Sequence, residues 1–167
     1  MSSSQPLSYA RSQIILHWLI AALVFFQIIF GENIGDFGRA LRDGTTPEMI
    51  TVVLGRSHVI FGITILMLMI ARLALRIKHG APAPVPAPKV QDFLARAAHN
   101  LLYVSLIAAP LTGIAAWFFG IREAGAVHHY MKPAFILLIA LHIVGALWHK
   151  FVLKDAVMKR MLSSTAE

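Results

Sequence analysis

The sequence predicts an all-α fold, a four-helix bundle that crosses a membrane, on three observations. The 167-residue chain is 57% hydrophobic and 14% charged, with mean hydropathy +0.69, whereas an average soluble domain carries about 25% charged residues. Its apolar residues fall into four runs, 14–30, 52–75, 94–119 and 133–153. Each run is near the ~20 residues that cross a ~30 Å hydrocarbon core at ~1.5 Å per residue. Its basic residues are divided unequally by those runs. With four spans, Arg11, Arg72, Arg76, Lys78, Lys89, Arg96, Lys150, Lys154, Lys159 and Arg160 fall on the side of the two termini, and Arg39, Arg42, Arg56, Arg122 and Lys132 on the other.

No run alternates as a strand would, and a helix satisfies its own backbone in lipid. The whole chain, 1–167, is expected to be a single integral-membrane domain, with no internal repeat and no room for a soluble one. The basic asymmetry predicts a multi-pass membrane protein with both termini cytoplasmic. The formal net charge of +7 is therefore a topology signal before it is a nucleic-acid signal. The chain has no cysteine, which excludes disulfides, iron–sulfur ligation and covalently attached haem.

The first run is followed by "GENIGDFGRALRD" rather than a small-residue cleavage site, so it reads as a retained span. Residues 31–51 read as the first outer loop, with "TTPE" resembling a helix start. After the second span, "HGAPAPVPAPK" alternates alanine with proline and is expected to be extended and stiff. Residues 120–131, with "VHHYMK", read as the second outer loop before the fourth span. The ends, Met1–Leu7 and Ser163–Glu167, are expected to fray.

Eight histidines carry the chemistry. His17 and His99 lie near the inner ends of spans one and three, and His58 near the outer end of span two. His142 lies near the middle of span four, with His149 near its inner end and His128 and His129 at its outer entrance. His79 sits at the inner water boundary. One membrane histidine can be a hydrogen-bonding group between helices. His17, His58, His142 and one of His128 or His129, at two depths, point instead to two pairs. His142 and His149 are seven residues apart and share a helix face to within about 20°. Gly62 is four residues from His58, and Gly145 is three from His142 and four from His149. Such glycines leave room for a flat, bulky group, or serve helix packing.

Zinc usually requires three or four close ligands, and no span contains Asp or Glu. A haem iron needs two axial ligands, which two neutral imidazoles supply without buried net charge. Arginines near the boundary suit haem propionates, and Arg56 lies two residues before His58. Met67 and Met69 read as packing residues.

The segments "ILHWL" (15–19), "RSHVIFG" (56–62), "RLALRIK" (72–78), "HNLLY" (99–103) and "LHIVGALWHKFVLKD" (141–155), in this order and spacing, resemble the bacterial cytochrome b561 family. The resemblance runs from about Tyr9 to Met161. It implies a four-helix membrane bundle holding two haem b groups, one near each face. It implies His17 and His142 as ligands of the inner haem iron, and His58 and His128 as those of the outer. The interval of fourteen residues from His128 to His142 matches the family and favours His128 over His129. Pro133 departs from the pattern: either helix four begins near Lys132 and leaves His128 in a loop, or it begins earlier and bends.

The resemblance also implies a quinone pocket at the inner side, formed by Lys89, His99 and His149. A histidine can give a proton near neutral pH, and a lysine can stabilise a developing oxyanion. Close relatives in that family oxidise superoxide outside and reduce ubiquinone inside, the first function expected here. The second is an electron-transfer subunit serving a dehydrogenase or soluble cytochrome. The third is a non-redox transporter or structural membrane protein. Electrostatic steering of superoxide has no net-charge basis, because Glu32, Asp36, Asp43, Glu48 and Glu123 balance the five outer cations.

Overall fold

The computed structural model describes residues 8–164, so the fraying expected at 1–7 and 165–167 lies outside the described residues. Ser163 and Ser164, also expected to fray, are held: the Ser163 N–H donates to the Lys159 carbonyl at 3.0 Å, and the Ser8 hydroxyl to the Ser164 carbonyl at 2.8 Å.

Six α-helices follow in order: α1 (Arg11–Phe30), α2 (Asn33–Asp43), α3 (Met49–His79), α4 (Lys89–Phe119), α5 (Arg122–Trp148) and α6 (Val157–Arg160). A π-helical turn, His149–Leu153, extends α5. Among the described residues there is no strand, and four helices are long and apolar enough to cross a membrane: α1, α3, α4, and α5 with its π turn. All four expected runs are thus helical, each extending beyond its apolar stretch, because polar residues continue the backbone pattern into the headgroup region.

Helix α1 starts where the Gln13 side chain accepts from the Ala10 N–H at 3.0 Å and the Gln13 N–H donates to the Ala10 carbonyl at 2.9 Å. The first outer connection is not the loop expected across 31–51. Residues Asn33–Asp43 form α2, which ends at Gly44 in the left-handed region, φ 64°. Its apolar residues Ile34, Phe37 and Leu41 recur at helical spacing but are too few to span lipid, so α2 fits the membrane boundary. Buried Phe37 fits where α3 has Gly55: a Cβ there would come within 2.6 Å of the Phe37 side chain. Phe37 also stacks on Trp117 of α4, centroids 5.9 Å apart and planes at 18°.

Helix α3 begins directly after "TTPE", as expected. Residues 80–88 form no regular element, consistent with their alternating prolines. The second outer loop is shorter than the expected 120–131. Only Gly120 and Ile121 separate α4 from α5, and Gly120 takes a left-handed φ of 68°. Of the two readings of Pro133, the earlier start holds: Pro133 lies inside α5, and His128 is helical.

Packing runs α1 on α3, α3 on α4 and α4 on α5, with α2 laid on α3 and α6 against the inner end of α5. Helices α1 and α5 are not among the closely packed pairs. Ile20, Val24, Ile65 and Met69 form the dry centre, flanked by Leu106, Ile107, Phe135 and Ile139. Met69 is a packing residue, as read from sequence, while Met67 faces outward. Most other large apolar side chains also point outward, an arrangement lipid makes favourable.

Candidate functional site

Two groups of histidines lie on either side of that apolar centre. On the side away from the two termini, called outer after the expected topology, α3 carries His58 and α5 carries His128, ring centroids 5.9 Å apart and planes at 87°. The earlier start of α5 makes this possible, because it brings His128 onto a packed helix. His128 Nδ1 donates to the Ala109 carbonyl of α4 at 2.7 Å, leaving Nε2 as the free nitrogen. Gly113 gives the ring access: a Cβ there would lie 3.1 Å from His128. Gly31 does the same for His58, whose Nδ1 a Cβ would approach to 3.1 Å. That nitrogen is buried and has no hydrogen-bond partner among the described residues.

On the inner side, His17 of α1 and His142 of α5 face each other with centroids 6.2 Å apart and planes at 71°. The α1 and α5 backbones are not among the closely packed pairs, so side chains rather than backbone bring these two rings together. Trp18 stands edge-on to His17 at 5.3 Å. A third ring joins: His99 of α4 lies 5.2 Å from His142, its Nδ1 donating to the Ala95 carbonyl at 2.7 Å. Arg72 is within electrostatic reach of His17, His99 and His142, and its guanidinium donates to the Gln13 carbonyl at 2.7 Å. Neighbouring Arg76 lies over the Tyr103 ring at 5.9 Å.

The third expected inner histidine sits elsewhere. His149 opens the π turn, and its Nδ1 is 2.5 Å from a carboxylate oxygen of Asp155. Lys89 is the exposed first residue of α4, ten positions before His99, or about 15 Å of helix rise. No contact among the described residues joins Lys89, His99 and His149. Arg56 is exposed and forms no ion pair among the described residues. Gly62 has the Gln27 amide 3.5 Å from its Cβ position, and Gly145 has nothing within 4 Å. His129 is exposed and packs edge-on to Tyr130 at 5.7 Å, and His79 ends α3.

Sequence reasoning did not single out Gly31, Gly113, Arg72 as a site residue, or Asp155. The glycines act from other helices, so no local spacing ties them to their histidines. Asp155 lies six residues beyond His149, and only the π turn folds it back.

Among the described residues, no group of three or more His, Cys, Asp or Glu side chains is placed to hold a bare metal ion. Two imidazoles on one metal, with metal–nitrogen bonds of about 2 Å each, put their ring centres roughly 6 Å apart. Both observed pairs meet that requirement. The apolar surroundings, the unpartnered His58 nitrogen and the spacing of the two cross-helix pairs fit a flat group ligated from both faces. The residues present therefore fit b-type haem.

Comparison with known proteins gives a consistent picture. Residues 8–164 match the family model of prokaryotic cytochrome b561. The chain is 36% identical over 159 residues to a cytochrome b562 of Cereibacter sphaeroides, covering 95% of this chain and 98% of the relative. It is 31% identical over 176 residues to a probable superoxide oxidase CybB of Yersinia pestis, covering 92% and 95%. It is 28% identical over 176 residues to cytochrome b561 homolog 1 of Escherichia coli K12, covering 92% and 96%.

Proposed function

This chain belongs to the prokaryotic cytochrome b561 family, whose members transfer electrons across the membrane with b-type haem, and from that premise we propose a di-haem cytochrome that oxidises superoxide at the outer face and reduces ubiquinone at the inner one. One observation carries the reading: two cross-helix imidazole pairs, at 5.9 Å and 6.2 Å, at two depths of one bundle. His128 and His142 are fourteen residues apart on α5, a rise of about 21 Å.

His58 and His128 would hold the outer haem, and His17 and His142 the inner. Bound there, the two haems supply one-electron carriers at two depths. The protein's own residues do the rest. His128, tied to Ala109, presents a fixed nitrogen. Arg56 at the outer side, and Arg72 and Arg76 at the inner, offer guanidinium groups to carboxylates such as haem propionates. The centre around Met69 keeps water out between the levels. Gly62 and Gly145 leave space beside ligand histidines. Of the residues expected at a quinone pocket, His99 beside His142 and His149 at the inner end of α5 offer proton-donating groups, while Lys89 lies apart at the first turn of α4 as a cation of the inner boundary. At the outer face, a cleft of about 570 Å³ is lined by Arg42, Arg122 and Trp117. Neither arginine is paired with a carboxylate among the described residues, so a local positive cluster exists where the formal charges of the region cancel.

The non-redox reading is set aside by the family. The second reading, a cytochrome serving an external redox protein, draws on the likeness to a plain cytochrome b562. The test is haem reduction by generated superoxide in the purified protein, followed by reoxidation with a water-soluble ubiquinone. Reduction without any partner supports the oxidase; a spectrum that stays oxidised until a soluble donor is added selects the second reading. The orientation, with cytoplasmic termini, rests on the basic asymmetry. A reporter fused after Glu167 that works only in the periplasm would refute it.

A further inference from the structure

The inner end of α5 closes on an arrangement that the electron path does not use. After Trp148 the helix widens into the π turn His149–Leu153, a form found as single turns that often mark functional sites. Lys154 then takes a left-handed conformation, φ 52° and ψ 35°, the only non-glycine positive φ among the described residues. For a side chain with a Cβ, that conformation costs roughly 1–2 kcal/mol. Its result is a reversal that returns Asp155 to His149. The Asp155 N–H reaches the His149 carbonyl at 3.2 Å, and one carboxylate oxygen reaches His149 Nδ1 at 2.5 Å. The other oxygen accepts from the Val157 N–H at 3.0 Å. Both side chains are mostly covered, 20% and 15% exposed.

We propose that Asp155 is a positioning residue that holds His149 as the proton donor to ubiquinone at the inner membrane boundary. This rests on the quinone-site reading above and adds a residue to it. The geometry divides the imidazole. Nδ1 is committed to Asp155, so Nε2 is the nitrogen free to meet a quinone oxygen. The carboxylate fixes the ring plane and keeps Nδ1 as the bonded nitrogen, as an acidic residue behind a catalytic histidine does. Reduction of one ubiquinone to ubiquinol takes two electrons and two protons, turning two carbonyls into hydroxyls. Two superoxide ions supply the electrons, one each, and leave as dioxygen. The protons enter from inner water, with His149 giving each from Nε2 and regaining it at that boundary.

The charged groups around Asp155 agree with this placement. Burial alone would raise its pKa; the His149 hydrogen bond, the Val157 N–H and the charges of His149 and Arg160 outweigh it, and the carboxyl is held below its ordinary value. Lys150, Lys154 and Lys159 add positive charge nearby in the chain. Arg160 itself donates to the Ala83 carbonyl at 2.7 Å, anchoring α6 to the proline-rich segment. A purely capping role for Asp155 would need only the oxygen bonded to Val157.

The experiment uses the full-length haem-loaded protein and three variants: Asp155→Asn, Asp155→Glu and His149→Ala. Asparagine keeps a carbonyl oxygen for Val157 and removes the charge. With superoxide as donor and a water-soluble ubiquinone as acceptor, Asp155→Asn is expected to lower kcat about 10²-fold, the usual contribution of a general acid. KM, haem content and the rate of haem reduction before quinone is added stay at their wild-type values. Asp155→Glu restores most of the rate. If Asp155→Asn turns over at the wild-type rate while His149→Ala is slow, the positioning role is overturned and the quinone-site reading stands. If His149→Ala reduces quinone at full rate, that reading fails as well. Loss of haem in both Asp155→Asn and Asp155→Glu makes Asp155 structural and also overturns the proposal.

Discussion

On the outer side of the bundle two imidazoles meet, His58 and His128. On the inner side three imidazoles meet, and Arg72 acts on all of them. The outer pair is made by backbone: glycines at 31 and 113 let the rings in, and the Ala109 carbonyl fixes one of them. The inner group is made by side chains reaching between α1, α4 and α5. A site with two ligands and no spare base suits an electron carrier and nothing else. A site with a spare imidazole and an arginine suits a carrier beside a place where protons are also consumed. On the proposed reading, this difference in construction matches a difference in task between the two faces.

The largest effects should come from the outer ligands. His128→Ala and His58→Ala each leave their partner facing no other imidazole, so each variant should purify with about one haem per chain, the other remaining six-coordinate. A pyridine haemochrome assay that finds two haems in either variant would break the assignment. The inner side should respond less sharply. No other residue on the turn of His142 can ligate, yet His99 arrives from α4 only 5.2 Å away. His142→Ala should therefore keep a fraction of its inner haem with an altered spectrum, and adding His99→Ala should remove it. Equal and complete losses from His142→Ala and His128→Ala would mean that the third imidazole is no substitute.

The long apolar runs made four spans legible in the sequence, because burial in lipid needs only length and composition. The pairing of depths was legible for the same reason, since helical rise converts position into depth. Three things were hidden. Helix α2 has too few apolar residues to stand out beside spans of twenty. The start of α5 was obscured by Pro133, which reads as a first-turn residue until tertiary packing carries the helix through it. The inner cluster was hidden because His99 and Arg72 lie on different helices from His142, and only the bundle's rotation brings them together. Lys89 shows the reverse: its type fits a quinone pocket, but its place at the first turn of α4 brings it no contact with His99 or His149.

An intermediate effect is expected from acid at the inner end. The Asp155 carboxyl is held below its ordinary value in the folded protein, so its contribution to stability is present above the unfolded value, about pH 4, and is lost as pH falls through the folded one. In Asp155→Asn the acid-induced release of α6, followed by fluorescence of a label on that helix, should lose this pH dependence. In His149→Ala the carboxyl should titrate higher, since the partner that offsets its burial is gone. Infrared titration of the aspartate band reads this directly, and an unmoved band would mean that the 2.5 Å pair does not govern it.

The smallest effects compare one glycine from each side. A methyl at Gly113 would sit 3.1 Å from His128 Cε1 and 3.2 Å from Nδ1, against a ring already pinned by Ala109. The ring must yield by a few tenths of an ångström, and overpacking of this kind costs about 1–3 kcal/mol. Gly113→Ala should accordingly weaken the outer haem and shift its absorption while leaving the inner haem alone. A methyl at Gly145 meets nothing within 4 Å in the protein itself. There the helix gains up to about 1 kcal/mol from alanine's better propensity, so the haem-free chain should be unharmed or slightly steadier. If the open space beside Gly145 is where the inner haem or the quinone lies, the loaded protein should show the opposite sign, with a small shift of the inner absorption band or a raised KM for quinone. A Gly145→Ala variant that matches wild type in band position and KM would leave Gly145 a packing residue, and the inner site would be bounded by His17, His99 and His142 alone.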